Sequence, residues 1–322
     1  MKTKLLVILL AIAMLCMLLI SCDTAGKGNK GSTDGKREIE KDGLVYCPLE
    51  NGTYGVKAAD SAKVGETVEI PAKIEGKDVT QILPQAFVGA TNLKSISMPD
   101  SVTTIGDYAF YNCTNLESIT MPAKLKKIGQ EAFYCCDSLE DITIPEGVTT
   151  IGQWAFIWCT GITSLTIPQS VTSIGYRAFQ DCRGLLYFAV SPDNPNYSSV
   201  DGNLYNKNGT TLIQYALGKN DDLLVIPNGV THINEFAVYC CENFSAVVLP
   251  KSIKSIGEKA FDGCAGIEAV YYCGTASEWA EIAIDVDNQH VTENVCFYSS
   301  TPITDTDVAY WYYDANGTPT RW

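Results

Sequence analysis

Histidine is almost missing from this chain: His232 and His290 are the two in 322 residues. Catalysis with imidazole as base, and metal centres built on imidazole ligands, therefore have little to draw on. Neither histidine sits in a recognisable motif. The chain has no G-x-S-x-G, no H-E-x-x-H and no glycine-rich phosphate loop. Positive charge is also scarce. Twenty-three Lys and Arg stand against 37 Asp and Glu, a formal net charge of -14. So acidic a chain repels nucleic acid and anionic lipid. Charged residues amount to 19% and hydrophobic ones to 46%, so the body is globular rather than disordered.

The start of the chain reads as a targeting segment over residues 1–21. Lys2 and Lys4 precede an apolar run, Leu5 to Ile20, that is short for a membrane span. The run ends in Leu19-Ile20-Ser21-Cys22. This resembles the lipobox of bacterial lipoproteins, which implies that Cys22 is diacylated and becomes the new N-terminus. Removing residues 1–21 takes away two lysines and no acid, leaving a net charge of -16. Residues 22–37, rich in Gly, Ser, Thr and Lys, read as a flexible tether from lipid to body. The expected location is the bacterial cell envelope, surface-exposed, with membrane attachment by lipid rather than by a helix.

What dominates the rest is a period. Pro99, Pro122, Pro145 and Pro168 follow one another at 23 residues, and the same interval separates Pro227 from Pro250. Self-similarity at a fixed period predicts a solenoid, whose coils bury their apolar faces only by stacking. Counted from proline as zero, the coil from Pro122 places Leu125, Ile128, Gly129, Ala132, Phe133, Cys136, Leu139, Ile142 and Ile144 at slots that recur in the next coils. Slots +20 and +22 alternate with +19 and +21, so each coil contains a strand with one buried face, ended by the proline. Gly at +7 suits a tight turn, and Ala-Phe-x-x-Cys reads as one helical turn. The acids are scattered over surface slots, which lends no support to a carboxylate pair for sugar hydrolysis.

The pattern I-x-I-P-x-x-V-x-x-I-G-x-x-A-F-x-x-C-x-x-L resembles the BspA-like group of leucine-rich repeat proteins over roughly residues 65–273. Ile74 to Thr80 is similar to that family's longer opening repeat. The expected fold is thus a β-rich, right-handed leucine-rich-repeat solenoid with short helical turns, an N-terminal β cap at 38–64 and a C-terminal cap at 274–322. Pro168 to Pro227 spans 59 residues, one coil plus an irregular 36. Within this insert (191–226), Leu204-Tyr205 and Leu212-Ile213 flank Lys207-Asn208-Gly209, which predicts a β-hairpin on the helical-turn side of a coil. Asn51-Gly52 and Asn316-Gly317 predict hairpins in the caps, and Thr275 to Glu278 is a capping box opening a short helix through Trp279 and Ile282. Asp193, Asn194, Asn196, Asp201 and Asn203 lack calcium-loop spacing and are better read as turn formers.

Six cysteines (Cys113, Cys136, Cys159, Cys182, Cys241 and Cys264) share slot +14. They read as small buried hydrophobes in a ladder rather than as metal ligands or bridges. Of the cysteines outside it, Cys273 and Cys296 are the best-placed pair for a disulfide. A thiol-rich exported chain fits a reducing habitat. No metal and no cofactor is expected, and no enzyme.

Two exposed faces remain for function. The outward strand slots line the concave face and turn from small and polar to apolar at Tyr187, Leu223, Val225, Ala246, Val248 and Tyr271. Such a patch is a partner groove unless the insert or the C-terminal hairpin covers it. The convex turns carry Tyr111, Tyr134, Trp154 and Trp158, which either stack on sugars or pack on each other. The family resemblance implies adhesion to a protein ligand of host, matrix or another cell. A glycan-binding accessory protein of an uptake system is the alternative. Nucleic acid is excluded as a partner.

Overall fold

A strand with one buried face needs neighbours of its own period, and a 23-residue coil supplies them by bringing the chain back one strand spacing further on. The computed structural model describes residues 37–140, 142–301 and 309–322. The leader at 1–21, Cys22 and all of the tether but Arg37 lie outside them. Glu38–Trp322 form one compact unit, and its strands run in two columns.

The front column holds the strands expected at slots +19 to +22. Thr67–Glu69, Ser95–Ser97 and Ser118–Thr120 pair in parallel, as do Ser164–Ile167 and Tyr187–Val190. After the insert come Leu223–Val225, Ala246–Leu249, Ala269–Tyr272, Val295–Tyr298 and Tyr310–Tyr313, parallel in turn, and then antiparallel Pro319–Arg321. A second column lies at the side, at slots +5 and +6. It runs from Tyr54–Ala58 and Lys77–Ile82 through Thr104–Ile105, Lys127–Ile128, Thr150–Ile151 and Ser173–Ile174. It resumes with Thr211–Gln214, His232–Ile233, Ser255–Ile256 and Ala283–Ile284. Two-residue strands are too short to leave a period in the sequence.

The segment Ala-Phe-x-x-Cys is not a helical turn. Slots +9 and +13 lie in the left-handed region in coil after coil: Tyr108 and Asn112, Glu131 and Cys135, Trp154 and Trp158, Phe236 and Cys240. A left-handed residue between right-handed ones turns alternate amides outward along the solenoid. Tyr108, Phe110 and Asn112 donate to Gln130, Ala132 and Tyr134 of the next coil at 2.7–2.8 Å, while Ala109, Tyr111 and Cys113 bond within their own coil. Each non-glycine left-handed residue costs about 1–2 kcal/mol, offset by a third inter-coil ladder that a helical turn could not make.

Gly at +7 serves close approach rather than a turn. Its φ is not positive, and a Cβ on Gly152 would lie 2.5 Å from Gly129 backbone atoms; the same holds for Gly129 against Gly106 and Gly175 against Gly152. Inside, Phe87, Phe110, Phe133 and Phe156 are fully buried and stack at 5.2–5.3 Å between centroids.

At the insert the expected hairpin is present, Asn203–Asn206 against Thr211–Gln214, with Gly209 at positive φ. A third strand, Tyr197–Val200, extends it. The hairpin does not sit in the arc of turns but enters the side column, where Leu212 faces Ile233. Successive side chains of its central strand point opposite ways. Leu204 joins the core of the N-terminal coils, while Tyr205 and Leu212 join that of the C-terminal coils. The hairpin is therefore a wall between two cores. Asn194, fully buried, donates to Pro168 and Val171 carbonyls and accepts from the amides of Asn196 and Tyr197. The Tyr197 hydroxyl accepts the Ile174 amide at 2.9 Å. These side chains close the backbone of the last regular coil, which explains the polar cluster without a cation.

The caps follow their local signals. Leu44–Pro48 and Tyr54–Ala58 form the N-terminal hairpin, flanked by Ile39–Lys41. Thr275 and Glu278 close a reciprocal capping box on Ala276–Trp279, which ends there rather than at Ile282. A second short helix, Gln289–Thr292, follows Asn288, whose side chain makes no capping bond and donates instead to the Gly257 and Asp285 carbonyls. Tyr310–Tyr313 and Pro319–Arg321 turn through Gly317 at positive φ.

Truncating the stack at its centre tests this packing. Phe133→Ala should lower unfolding free energy by about 3–5 kcal/mol, read from the shift in denaturant midpoint.

Candidate functional site

The front face is built from outward slots of short parallel strands, and the structure divides its expected apolar stretch in two. Val248 is buried, at 2% exposure. Trp311 of the C-terminal hairpin folds back over it, with Cys296 in the same small cluster and Leu223, Tyr271 and Cys273 packed at its margin. Trp311 is fully buried, its Nε1 donates to the Tyr272 carbonyl at 2.8 Å, and its ring meets those of Tyr271 and Tyr298 at 5.3 Å. The expectation that Val248 is an open binding residue is thus corrected: the aromatic hairpin covers that end. Ala246, Leu223 and Tyr271 are half-buried beside it.

The other end is open. Tyr187 is 48% and Val225 52% exposed, with Leu186 and Val200 close to them in exposure. They flank the interruption of the front ladder at the insert. There the Asp201-Gly202 turn comes against Tyr187, and the Phe188 amide donates to the Gly202 carbonyl. Lys219, largely buried, pairs with Asp201 at 2.7 Å and Asp221 at 2.9 Å, tying this turn to the start of the next front strand. Asp201, Asp221 and Asp222 leave the rim acidic.

The thiols are spent on structure. Cys113, Cys136, Cys159 and Cys182 each donate Sγ–H to the carbonyl of the phenylalanine one coil back, at 3.0–3.3 Å, and Cys264 does the same to Val238. That carbonyl also accepts the amide three residues on in its own coil, Ala90 for Phe87 and a cysteine for the others, so both lone pairs are used. Burial pushes the Cys113 thiol up to about 12 and those of Cys136 and Cys159 well above the ordinary range. Cys273 and Cys296, the best-placed pair for a disulfide outside the ladder, are both thiols. Cys296 lies opposite Tyr271, so Cys273 is two residues along the neighbouring strand. Diagonal neighbours sit about 7–8 Å apart, beyond disulfide reach.

The arc aromatics pack on each other. Tyr111 and Tyr134 stack face to face at 4.5 Å and 11°, and Trp158 meets Tyr134 edge-on at 5.2 Å. Trp154 lies tilted against Tyr176 at 6.2 Å. Burial, with Glu131 close by, raises the Tyr111 hydroxyl to about 12. The insert's coil is short on this side, and Arg177 fills the gap by lying flat on Phe236, 3.1 Å from the ring centroid. His232 is exposed, with Nδ1 2.7 Å from the Thr231 hydroxyl. Among the described residues no three His, Cys, Asp or Glu side chains converge as a metal site.

Six copies of the BspA type leucine rich repeat region match residues 67–202 and 218–308, well over half of the chain, and they skip the hairpin that walls off the two cores. The chain belongs to the BspA-type leucine-rich repeat family. Solved structures with the same fold include the pneumococcal vaccine antigen PcpA, 23% identical with a TM-score of 0.59 over 74% of this chain and 70% of that one. A leucine-rich repeat protein of Eubacterium ventriosum is 20% identical, with a TM-score of 0.58 over 81% and 77%. One from Bacteroides ovatus is 24% identical, with a TM-score of 0.52 over 80% and 78%. No curated protein matches the sequence.

Buried thiols make the BspA-type body sensitive to alkali. In the folded chain Cys113 keeps its proton to about pH 12, while the unfolded thiol loses it near its ordinary 9.0. Between these values the unfolded state binds fewer protons, so stability falls as pH rises, by up to about 1.4 kcal/mol per pH unit for each such thiol. Melting temperature should be flat from pH 7 to 8.5 and fall steeply above 9. The ladder thiols should resist a thiol reagent at pH 8 until denaturant is added.

Proposed function

We propose that this chain is a lipid-anchored bacterial surface protein that binds a protein partner on its front face, at the break beside the insert. The observation that carries the reading is the exposure of Tyr187 and Val225, about half open each, beside the insert; the aromatic hairpin that covers Val248 leaves Tyr298 and Tyr313 open at the far end of the same column. Large apolar side chains left open together on a folded surface are characteristic of interaction sites. The aspartates around them favour a partner that brings apolar and basic side chains. The family's repeats supply a rigid scaffold for such a face, and nothing in the site resembles catalytic machinery. Likeness in fold to an antigen used in vaccines is in keeping with display at the surface. A glycan would need free aromatic faces, whereas Tyr111 and Tyr134 turn theirs to each other. The protein partner is therefore the preferred reading over the glycan.

Screening the chain against matrix proteins and a glycan array separates the two ligand classes. With a matrix or cell-surface protein identified, Tyr187→Ala with Val225→Glu should weaken binding at least tenfold with an unchanged far-UV spectrum and melting temperature. Unchanged affinity would remove this face from the reading. Val248→Glu, by contrast, should lower the melting temperature, since it places a charge under Trp311.

Anchoring rests on Cys22 and the apolar run before it. Cys22→Ser should move the protein from the membrane fraction to the soluble fraction and abolish labelling by a fatty-acid probe.

A further inference from the structure

The two ends of the front column are finished differently. At the C-terminal end Tyr310–Tyr313 and Pro319–Arg321 extend and close the ladder. At the N-terminal end the cap strands continue the side column instead, because Tyr54–Ala58 pairs with Lys77–Ile82. The first front strand, Thr67–Glu69, has a neighbour on one side, Ser95–Ser97. In a parallel pair alternate residues bond to one neighbour. Here the Glu66 carbonyl accepts from Ser95 and the Ile70 amide donates to Ser97, so Thr67 and Glu69 direct their amides and carbonyls the other way. Neither amide donates to any described residue.

That edge opens into a cavity of about 970 Å³ between the strand, the cap hairpin and the 59–65 segment. One residue of extended chain occupies about 160 Å³, taking a rise of 3.3 Å, a strand spacing of 4.8 Å and a sheet spacing of 10 Å. The cavity thus admits about six residues. Its lining carries Glu40, Asp42, Asp60 and Glu69 against Lys41 and Lys63, and Lys63 is held by Asp60 at 2.9 Å.

We infer that this edge is a strand-addition site for an extended basic peptide segment of a protein partner. The segment lies parallel to Thr67–Glu69, its backbone answering Thr67 and Glu69 and its lysine or arginine side chains meeting the carboxylates. The site is separate from Tyr187 and Val225 and does not depend on the reading of that face.

The test is amide hydrogen exchange on the full-length protein with a six-residue peptide of alternating valine and lysine. The control is the same peptide methylated at every backbone nitrogen, which keeps its charge but loses its donors. Expected: the Thr67 and Glu69 amides exchange freely without peptide and at least tenfold more slowly with it. The methylated peptide should give no protection. Thr67→Pro, which removes an outward amide and leaves the lining carboxylates and the backbone bonds to Ser95–Ser97 intact, should weaken peptide binding at least tenfold. Protection of both amides before peptide is added would overturn the proposal, since something in the chain itself would fill the edge. So would equal binding of the two peptides, which would reduce the effect to charge, or no protection at millimolar peptide. Should the proline variant unfold, the comparison of the two peptides decides the matter alone.

Discussion

Each coil must answer the backbone of the next, and the rest of the structure depends on that. Three ladders do so: the front strands, the two-residue side strands and the alternating amides of the arc. Together they hold the coils so close that a single methyl group on Gly152 would strike the chain beneath it. The same closeness puts Phe110, Phe133 and Phe156 at stacking distance and brings five of the six ladder thiols to the carbonyl one coil back. Residues that look chosen for chemistry, the cysteines above all, are held in place by a backbone requirement.

Where the ladders stop, the same requirement produces unusual structure. The insert ends the N-terminal stack by lending side chains, Asn194 and Tyr197, to backbone groups that have lost their partner coil. It then starts the C-terminal stack by supplying a strand to the side column. The front column gets no such strand, and its break is where Tyr187 and Val225 stay open. Exposure there is a by-product of repairing one column and not the other.

Much of this was legible because repetition multiplies a weak signal. One proline after one apolar pair says little, but the same slot at Pro99, Pro122, Pro145 and Pro168 fixes a coil. Asn-Gly and Gly-containing turns located the hairpins, and Thr275 with Glu278 located a helix start. The arc was misread because Ala and Cys at slots four apart imitate a helical face. Tyr108, Trp154 and Phe236 are residues that composition never assigns to the left-handed region. There the inter-coil bonds outweigh local preference. The cover over Val248 stands among the alternatives the sequence leaves open, because how far a hairpin beginning near Tyr310 folds back is a long-range outcome that no local pattern decides. Of the candidate site, Tyr187 and Val225 could be named from slot position alone, whereas the open edge at Thr67–Glu69 could not, since it is defined by which column the cap extends.

The hairpin wall between the two cores has a consequence for how such a chain can change. Every regular coil bonds to its immediate neighbours, and the two cores meet through insert residues such as Leu204, Tyr205 and Leu212, with Arg177 and Tyr176 reaching Phe236 on the arc side. Adding or deleting 23 residues on either side therefore lengthens or shortens one stack and leaves the geometry at the break as it was. Length and local surface are separable in this architecture: gene rearrangement can tune how far the break stands from the N-terminal cap without rebuilding the surface beside it.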